Sequence, residues 1–332
     1  MQITFLGTGA GIPTRARNVS AVALRLPQRA HYWLFDCGEG TQHQILRSSL
    51  SISQIRRIFI THLHGDHLYG LPGLLASGKL GGASGEIDIY GPANLERYLR
   101  ACRETAHDGG AGEADGIRIH EVEPGTIYED DEFTVECLPL RHRILTFGYR
   151  VREHDRRGRF LVEHAREIGI PEGPLFGRLK RGESVTLDDG RTIDSAQLCE
   201  PDERGRIFAY CTDTAFCDNA IELARDADVL IHEATFAEQD LELARRSAHS
   251  TARIAATVAR NAAAHRLFLT HISPRYAQSR ASQDRPLTAE DLLNEAQAVF
   301  ADSQVARDFL TFNVPRRRAV EETQTGAASR EQ

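Results

Sequence analysis

The chain has 332 residues, 41% of them hydrophobic, enough to bury a large core, which argues against a disordered or fibrous protein. A formal net charge of -7 excludes nucleic-acid binding driven by the overall field, so any RNA partner has to be met by a local basic surface. The 6 cysteines are scattered with no C-x-x-C pair, which suits a reducing compartment better than a disulfide framework or a structural zinc knuckle. No apolar run reaches the roughly 18 residues of a membrane span, and the start "MQITFLGTGAG" lacks the charged and apolar regions of a signal peptide; a cytoplasmic protein without membrane contact is expected.

In chain order, β-branched and aromatic content bounded by Gly, Pro or Asp predicts strands at 3–7, 20–26, 32–38 and 57–62. Apolar spacing predicts helices at 40–49, about 67–79 and 93–103. Further strands are expected at 117–122, 132–138, 147–152, 206–210, 228–231, 266–270 and 308–312, with helices near 217–225, 237–246, 250–263 and 288–299. This alternation predicts an α/β layered fold with helices covering sheets. Two regions break the rhythm. Residues 153–200 are rich in Gly, Arg, Glu and Asp and show no sustained apolar periodicity, which predicts an inserted, partly mobile arm. The tail after Val314 has too few apolar residues to bury and is expected to be disordered.

The stretch "FITHLHGDHLYG" places His62, His64, Asp66 and His67 directly behind an apolar strand. A tight turn through Gly65 and a helix starting near Asp66 would fan all four around one point at the strand's carboxyl end, where α/β sheets hold their ligands. His64 can join His62 on one metal, while Asp66 and His67 point to a neighbouring one. Two metals need more ligands than this motif holds. His142 follows "TVECLPL", Asp213 follows "IFAYCT" and His271 follows "LFLT", each just beyond an apolar strand-like run.

The H-x-H-x-D-H pattern resembles the metallo-β-lactamase superfamily, whose fold is a four-layer αβ/βα sandwich with paired zinc ions at the sheet edges. Within it, the chain resembles the tRNase Z (ribonuclease Z) family from Met1 to about residue 314. The motifs that carry this are "FLGTGAGIPTRARN", "FDCGEGTQHQI", "PLRHRILTFGYRV", "CTDT", "HEAT", "HST" and "LTHISPRY", in that order. The resemblance implies an α/β metallo-β-lactamase sandwich with an inserted flexible arm, acting as an endoribonuclease. It would remove the 3′ trailer of precursor tRNA through a metal-activated hydroxide, leaving a tRNA 3′ hydroxyl and a 5′-phosphate trailer.

The same resemblance implies two Zn²⁺ per subunit, with Mn²⁺ as the other candidate ion. One would be held by His62, His64, His142 and Asp213, the other by Asp66, His67, His271 and the same Asp213. Asp66 is the expected proton acceptor, and His249, held by Glu233, the expected donor to the leaving oxygen. Ser250 or Thr251 also suits a helix N-cap, which is the ordinary structural role for "HST". The loop "PTRARN" offers Arg15, Arg17 and Asn18 to the acceptor end, and the arm offers Gly173, Pro174, Arg178, Lys180 and Arg181. A homodimer in which one subunit's arm serves the other's site is implied as well. The rival readings are a metallo-β-lactamase-fold hydrolase of small phosphodiesters, sulfate esters or thioesters, and a metal-free RNA-binding scaffold.

Overall fold

A computed structural model describes every residue except 28, 83–84, 106–115, 277–286 and 318–332. Most of the tail expected to be disordered therefore lies outside the described residues. The chain divides into two compact units, Met1–Arg152 with Ile207–Pro315, and Glu153–Arg206 with the segment from Arg316.

The larger unit contains two seven-stranded sheets. The first sets β1 (Gln2–Gly7), β2 (Ala21–Arg25), β3 (Tyr32–Phe35), β4 (Ile55–Phe59), β5 (Ile87–Gly91) and β6 (Ile117–Glu121) side by side in chain order. The second begins with β7 (Gly125–Glu129), β8 (Phe133–Pro139) and β9 (Phe147–Glu153). A two-stranded hairpin, β10 (Val185–Thr186) and β11 (Thr192–Ile193), belongs to the smaller unit. The second sheet then continues through β12 (Ile207–Cys211), β13 (Val229–Glu233), β14 (Leu267–Thr270) and β15 (Ser303–Val305), and β16 (Thr311–Asn313) returns to pair antiparallel with β1. Strands β3 to β6 run parallel to one another, as do β12 to β15.

Inward-facing rings fuse the sheets: Phe5 meets Phe268 at 5.3 Å between centroids, Phe35 meets Phe208 at 5.1 Å, and Trp33 meets Phe133 at 5.7 Å. Fully burying each such ring is worth about 1.5–3 kcal/mol. The outer face of the first sheet is covered by α1 (Thr41–Leu46), α2 (Gly65–Leu68), α3 (Leu71–Leu80) and α4 (Leu95–Thr105). In the smaller unit lie α5 (Val162–Glu167) and α6 (Pro174–Lys180). The second sheet is covered by α7 (Asp218–Ala224), α9 (Ala252–Asn261) and α10 (Ala289–Gln297), with α8 (Leu241–Ser247) leading into α9. Helix, sheet, sheet and helix give the four-layer αβ/βα sandwich. No helix among the described residues is long and apolar enough to cross a membrane.

Five strands fall outside the ranges the sequence predicts: β5, β7 and β15 in the larger unit, and the short β10 and β11 in the smaller one. In β5, Asp88 interrupts the apolar pattern, and its charge is met by Arg118 at 2.8 Å and His120 at 3.0 Å on the adjacent β6. The helix expected over 67–79 is broken into α2 and α3 at Gly70. There the Gly70 N–H donates to the Cys37 carbonyl (2.9 Å), and a Cβ would come within 2.0 Å of the Gly38 oxygen. This close approach pins α2 against the end of β3.

The smaller unit has a core of its own, where Phe160, Ile170, Phe176, Leu179, Val185 and Leu198 meet from irregular spacings that show no helical or strand period. Within this unit the buried Glu153 carboxylate accepts from Arg206 Nε (2.7 Å) and Nη2 (3.2 Å) and pairs with Arg316.

Candidate metal centre

Most of the chemically important side chains sit at the carboxyl ends of the parallel strands, joined by His142 after β8, Asp66 and His67 on α2, and His249 just before α9. Asp36 follows β3, His62 and His64 follow β4, Asp213 follows β12, Glu233 closes β13 and His271 follows β14. Asp36, Asp213 and His271 all adopt positive φ (58°, 52° and 55°), a left-handed turn that bends each side chain off its strand into the common edge. Such a conformation costs on the order of 1–3 kcal/mol in a non-glycine residue and persists where surrounding contacts enforce it.

Two groups of donor atoms result. His62 Nε2 lies 3.0 Å from His64 Nδ1 and 3.6 Å from Asp213 Oδ2; His142 Nε2 lies 3.3 Å from His64 Nδ1 and 3.8 Å from the same oxygen. In the second group His67 Nε2 is 3.3 Å from His271 Nε2 and 3.4 Å from Asp66 Oδ2, and His271 Nε2 is 3.2 Å from that carboxylate. Asp213 Oδ1 faces this group at 3.1 Å from His67 and 3.2 Å from His271. One carboxylate thus gives one oxygen to each group.

The donor set fits divalent metal. Tetrahedral Zn²⁺ with nitrogens about 2.0–2.1 Å away would set its ligands about 3.3 Å apart, within the observed range. The orientation of the rings fits as well. His67 Nδ1 donates to Asp36 (2.8 Å) and His142 Nδ1 to the Ala248 carbonyl (3.0 Å), both pure acceptors, so each neutral ring turns its Nε2 lone pair inward. Lone pairs this close require positive charge between them. Burial disfavours charging His67, but Asp213, Asp36 and Asp66 outweigh it and push its pKa well above the imidazole range. Burial, reinforced by His67, drives His62 well below that range.

Beside the clusters, His249 Nδ1 donates to Glu233 Oε1 at 2.8 Å. Burial works against its charge, yet Glu233 raises the His249 pKa to about 9. Glu233, fully buried, also accepts from the Thr214 N–H (2.6 Å) and the Thr235 hydroxyl (2.6 Å). Burial opposes the ionised form of Asp66 too, but His67 and His271 hold its pKa far below the usual carboxylate range. The Gly11 N–H fixes its Oδ2 at 2.8 Å. Of the two candidate caps, Ser250 and Thr251, it is Thr251 that caps α9, accepting from the Ile254 N–H at 3.2 Å.

The expected substrate contacts fall differently. Arg15 is exposed. Arg17 instead fastens its own loop, donating to Thr8 Oγ1 (2.7 Å) and the Ala306 carbonyl (2.6 Å), and Asn18 donates to the Glu39 carbonyl (2.9 Å). In the smaller unit Gly173 has φ 134° and precedes Pro174, the first residue of α6. Arg178 and Arg181 share Glu183 at 2.8 and 3.0 Å, and Lys180 stands over the Phe160 ring. Asp36, Thr61, Thr235 and Tyr210, whose hydroxyl donates to Asp36 at 3.0 Å, support the site without having been singled out in the sequence.

A strand-edge cluster of this kind on an αβ/βα sandwich defines the metallo-β-lactamase fold, and residues 197–272 match the family model described as beta-lactamase superfamily domain. Residues 1–151 match the model described as anti-Pycsar protein Apyc1. The ribonuclease Z of Cyanothece sp. (strain PCC 7425) is 60% identical over 95% of this chain and 96% of its own length, and that of Nostoc sp. (strain PCC 7120) is 59% identical over 96% of each. The solved human tRNase Z, short form, superposes with a TM-score of 0.66 at 29% identity, covering 95% of this chain and all of that one. YhfI of Bacillus subtilis, at 17% identity and a TM-score of 0.63, shares the fold. The chain belongs to the ribonuclease Z family.

Proposed function

We propose that the chain is a zinc-dependent endoribonuclease that cuts precursor tRNA on the 3′ side of the discriminator nucleotide. The observation that carries this is the pair of donor clusters sharing Asp213, set beside the His249–Glu233 pair. His62, His64, His142 and Asp213 would hold one ion and Asp66, His67, His271 and Asp213 the other; Zn²⁺ suits the mixed imidazole and carboxylate donors better than Mn²⁺. When bound, such a pair of cations acidifies water and neutralises charge gathering on a phosphodiester.

The chain's own groups do the proton bookkeeping. Asp66, oriented by the Gly11 N–H, takes a proton from the attacking water. His249, kept protonated by Glu233, gives its proton to the ribose 3′ oxygen as the P–O3′ bond breaks. The products are a 3′ hydroxyl on the tRNA and a 5′ phosphate on the trailer. Arg15, exposed on the loop that reaches Asp66 through Gly11, suits a phosphate near the cut, and the cations of α6 suit phosphates farther along the tRNA. A homodimer, to be checked by sedimentation, and a cytoplasmic location go with this reading.

The test is incubation with an end-labelled precursor tRNA and with a small phosphodiester. A single cut beside the discriminator is expected, and charge reversal at Arg178, Lys180 and Arg181 should raise KM for the tRNA alone. Cleavage of the small ester with no site-specific cut in the tRNA would favour the small-substrate hydrolase instead.

A second expectation concerns pH. Glu233 raises the His249 pKa to about 9, so the active protonated form is present below that value and lost as pH rises through it. Glu233→Gln removes the charge that holds the proton, and the alkaline limb of kcat should move down by about one pH unit or more, each unit reflecting roughly 1.4 kcal/mol. An unmoved alkaline limb would assign the proton donor elsewhere.

A further inference from the structure

Four of the five clustered imidazoles use Nε2 toward the donor groups, and each has its Nδ1–H accounted for. For His67 and His142 the acceptors are a carboxylate and a carbonyl. For His62 and His271 the partner is a threonine hydroxyl, which by itself fixes nothing, since a hydroxyl can donate or accept. The geometry around those two threonines removes the ambiguity. Thr61 Oγ1 stands 2.9 Å from His62 Nδ1 and 3.0 and 3.1 Å from the two oxygens of the buried Asp36. Thr235 Oγ1 stands 2.9 Å from His271 Nδ1 and 2.6 Å from Oε2 of the buried Glu233.

A hydroxyl has one proton. Asp36 already accepts from the Thr61 N–H, His67 and Tyr210, and Glu233 from Thr214, His249 and Thr235, so neither carboxylate has a proton to give. Each threonine must therefore spend its proton on the carboxylate, which leaves only its lone pair for the histidine. The ring is forced to carry its hydrogen on Nδ1 and to present a bare Nε2 to the cluster. Thr61 and Thr235 come from different sheets and serve different donor groups, yet the carboxylate, hydroxyl and imidazole are strung in the same order in both.

We propose that Thr61 and Thr235 are positioning residues that set the tautomer of His62 and His271, one for each metal, by relaying the polarity of Asp36 and Glu233. This rests on reading the two clusters as metal sites. It adds a distinct prediction: the side chain must offer a hydroxyl, and an isosteric methyl will not serve. In Thr61→Val, His62 Nδ1–H faces an apolar methyl in a fully buried place, so the ring gains by moving its hydrogen to Nε2, into the space a metal needs. The Thr61 N–H still reaches Asp36 (2.8 Å), so the carboxylate keeps its other donors.

The test is equilibrium competition for Zn²⁺ between the purified chain and a chelator, with Thr61→Val, Thr61→Ser, Thr235→Val and Thr235→Ser. Each valine variant is expected to weaken one ion about 10- to 100-fold, the range typical of lost outer partners of metal ligands, with serine restoring affinity to within about threefold. Two ions held by wild type and equally tightly by both valine variants would overturn the inference alone, as would serine failing where threonine succeeds. A wild-type chain that takes up no Zn²⁺ would overturn the metal reading beneath it. Should a valine variant fail to fold, ¹⁵N imidazole shifts of the zinc-loaded wild type decide. Protonated Nδ1 on His62 and His271 supports the relay, and protonated Nε2 refutes it.

Discussion

Asp66→Ala is expected to lower cleavage of precursor tRNA by at least about 10⁴-fold while leaving the chain folded. Loss of a general base alone costs about 10²–10⁴-fold. Asp66 also stands within 3.2–3.4 Å of His271 and His67, so the variant loses a donor atom of the second cluster as well. Asp66→Asn separates the two contributions: an amide oxygen can still face a cation but cannot take up the water's proton. Single-turnover cleavage read beside metal content should show the asparagine variant retaining more metal than the alanine variant, with activity nearly as low. Cleavage at the wild-type rate by either would remove Asp66 from the reaction. Folding is spared because the side chain is partly exposed and its backbone sits in the short α2, which Gly70 and Gly38 press against β3 whatever residue 66 carries.

How much of this could be read from the sequence depended on whether a feature was local. The H-x-H-x-D-H run declares itself because its four side chains leave one strand and one turn. His142, Asp213 and His271 could be found because each follows an apolar run, and strand ends are where α/β folds gather ligands. The left-handed backbone at Asp36, Asp213 and His271 left no trace, since residue type alone does not force it. Arg17 shows the same limit for charge. A cation in a polar loop looks free for substrate, but one of its acceptors, the Ala306 carbonyl, is 289 residues away in the chain and close only in the fold. The core of the smaller unit was hidden because Phe160, Phe176 and Leu198 approach one another through short irregular elements, where no periodicity accumulates. Thr61 and Thr235 were invisible for a third reason. A threonine beside a histidine is ordinary until the carboxylate that claims its proton is in place.

Asp213→Ala carries the other large expected effect: on the two-ion reading proposed above, metal content should fall to below one ion per chain, and cleavage of precursor tRNA should become undetectable. Among the described residues, Asp213 alone gives one oxygen to each donor group, with Oδ2 facing His62 and His142 and Oδ1 facing His67 and His271. Removing it leaves five imidazoles converging with Asp66 as the only carboxylate among the described residues directed between them, so two dications would face each other with little negative charge between. Asp213→Asn discriminates between bridging and mere proximity. Its amide oxygen can serve one cluster, but its NH₂ cannot coordinate the other, so about one ion per chain should remain. Elemental analysis of protein purified without chelator measures this directly. Two ions in the alanine variant would mean that the clusters are independent sites and that Asp213 does not join them. One ion in the asparagine variant and none in the alanine variant is the outcome a shared carboxylate requires.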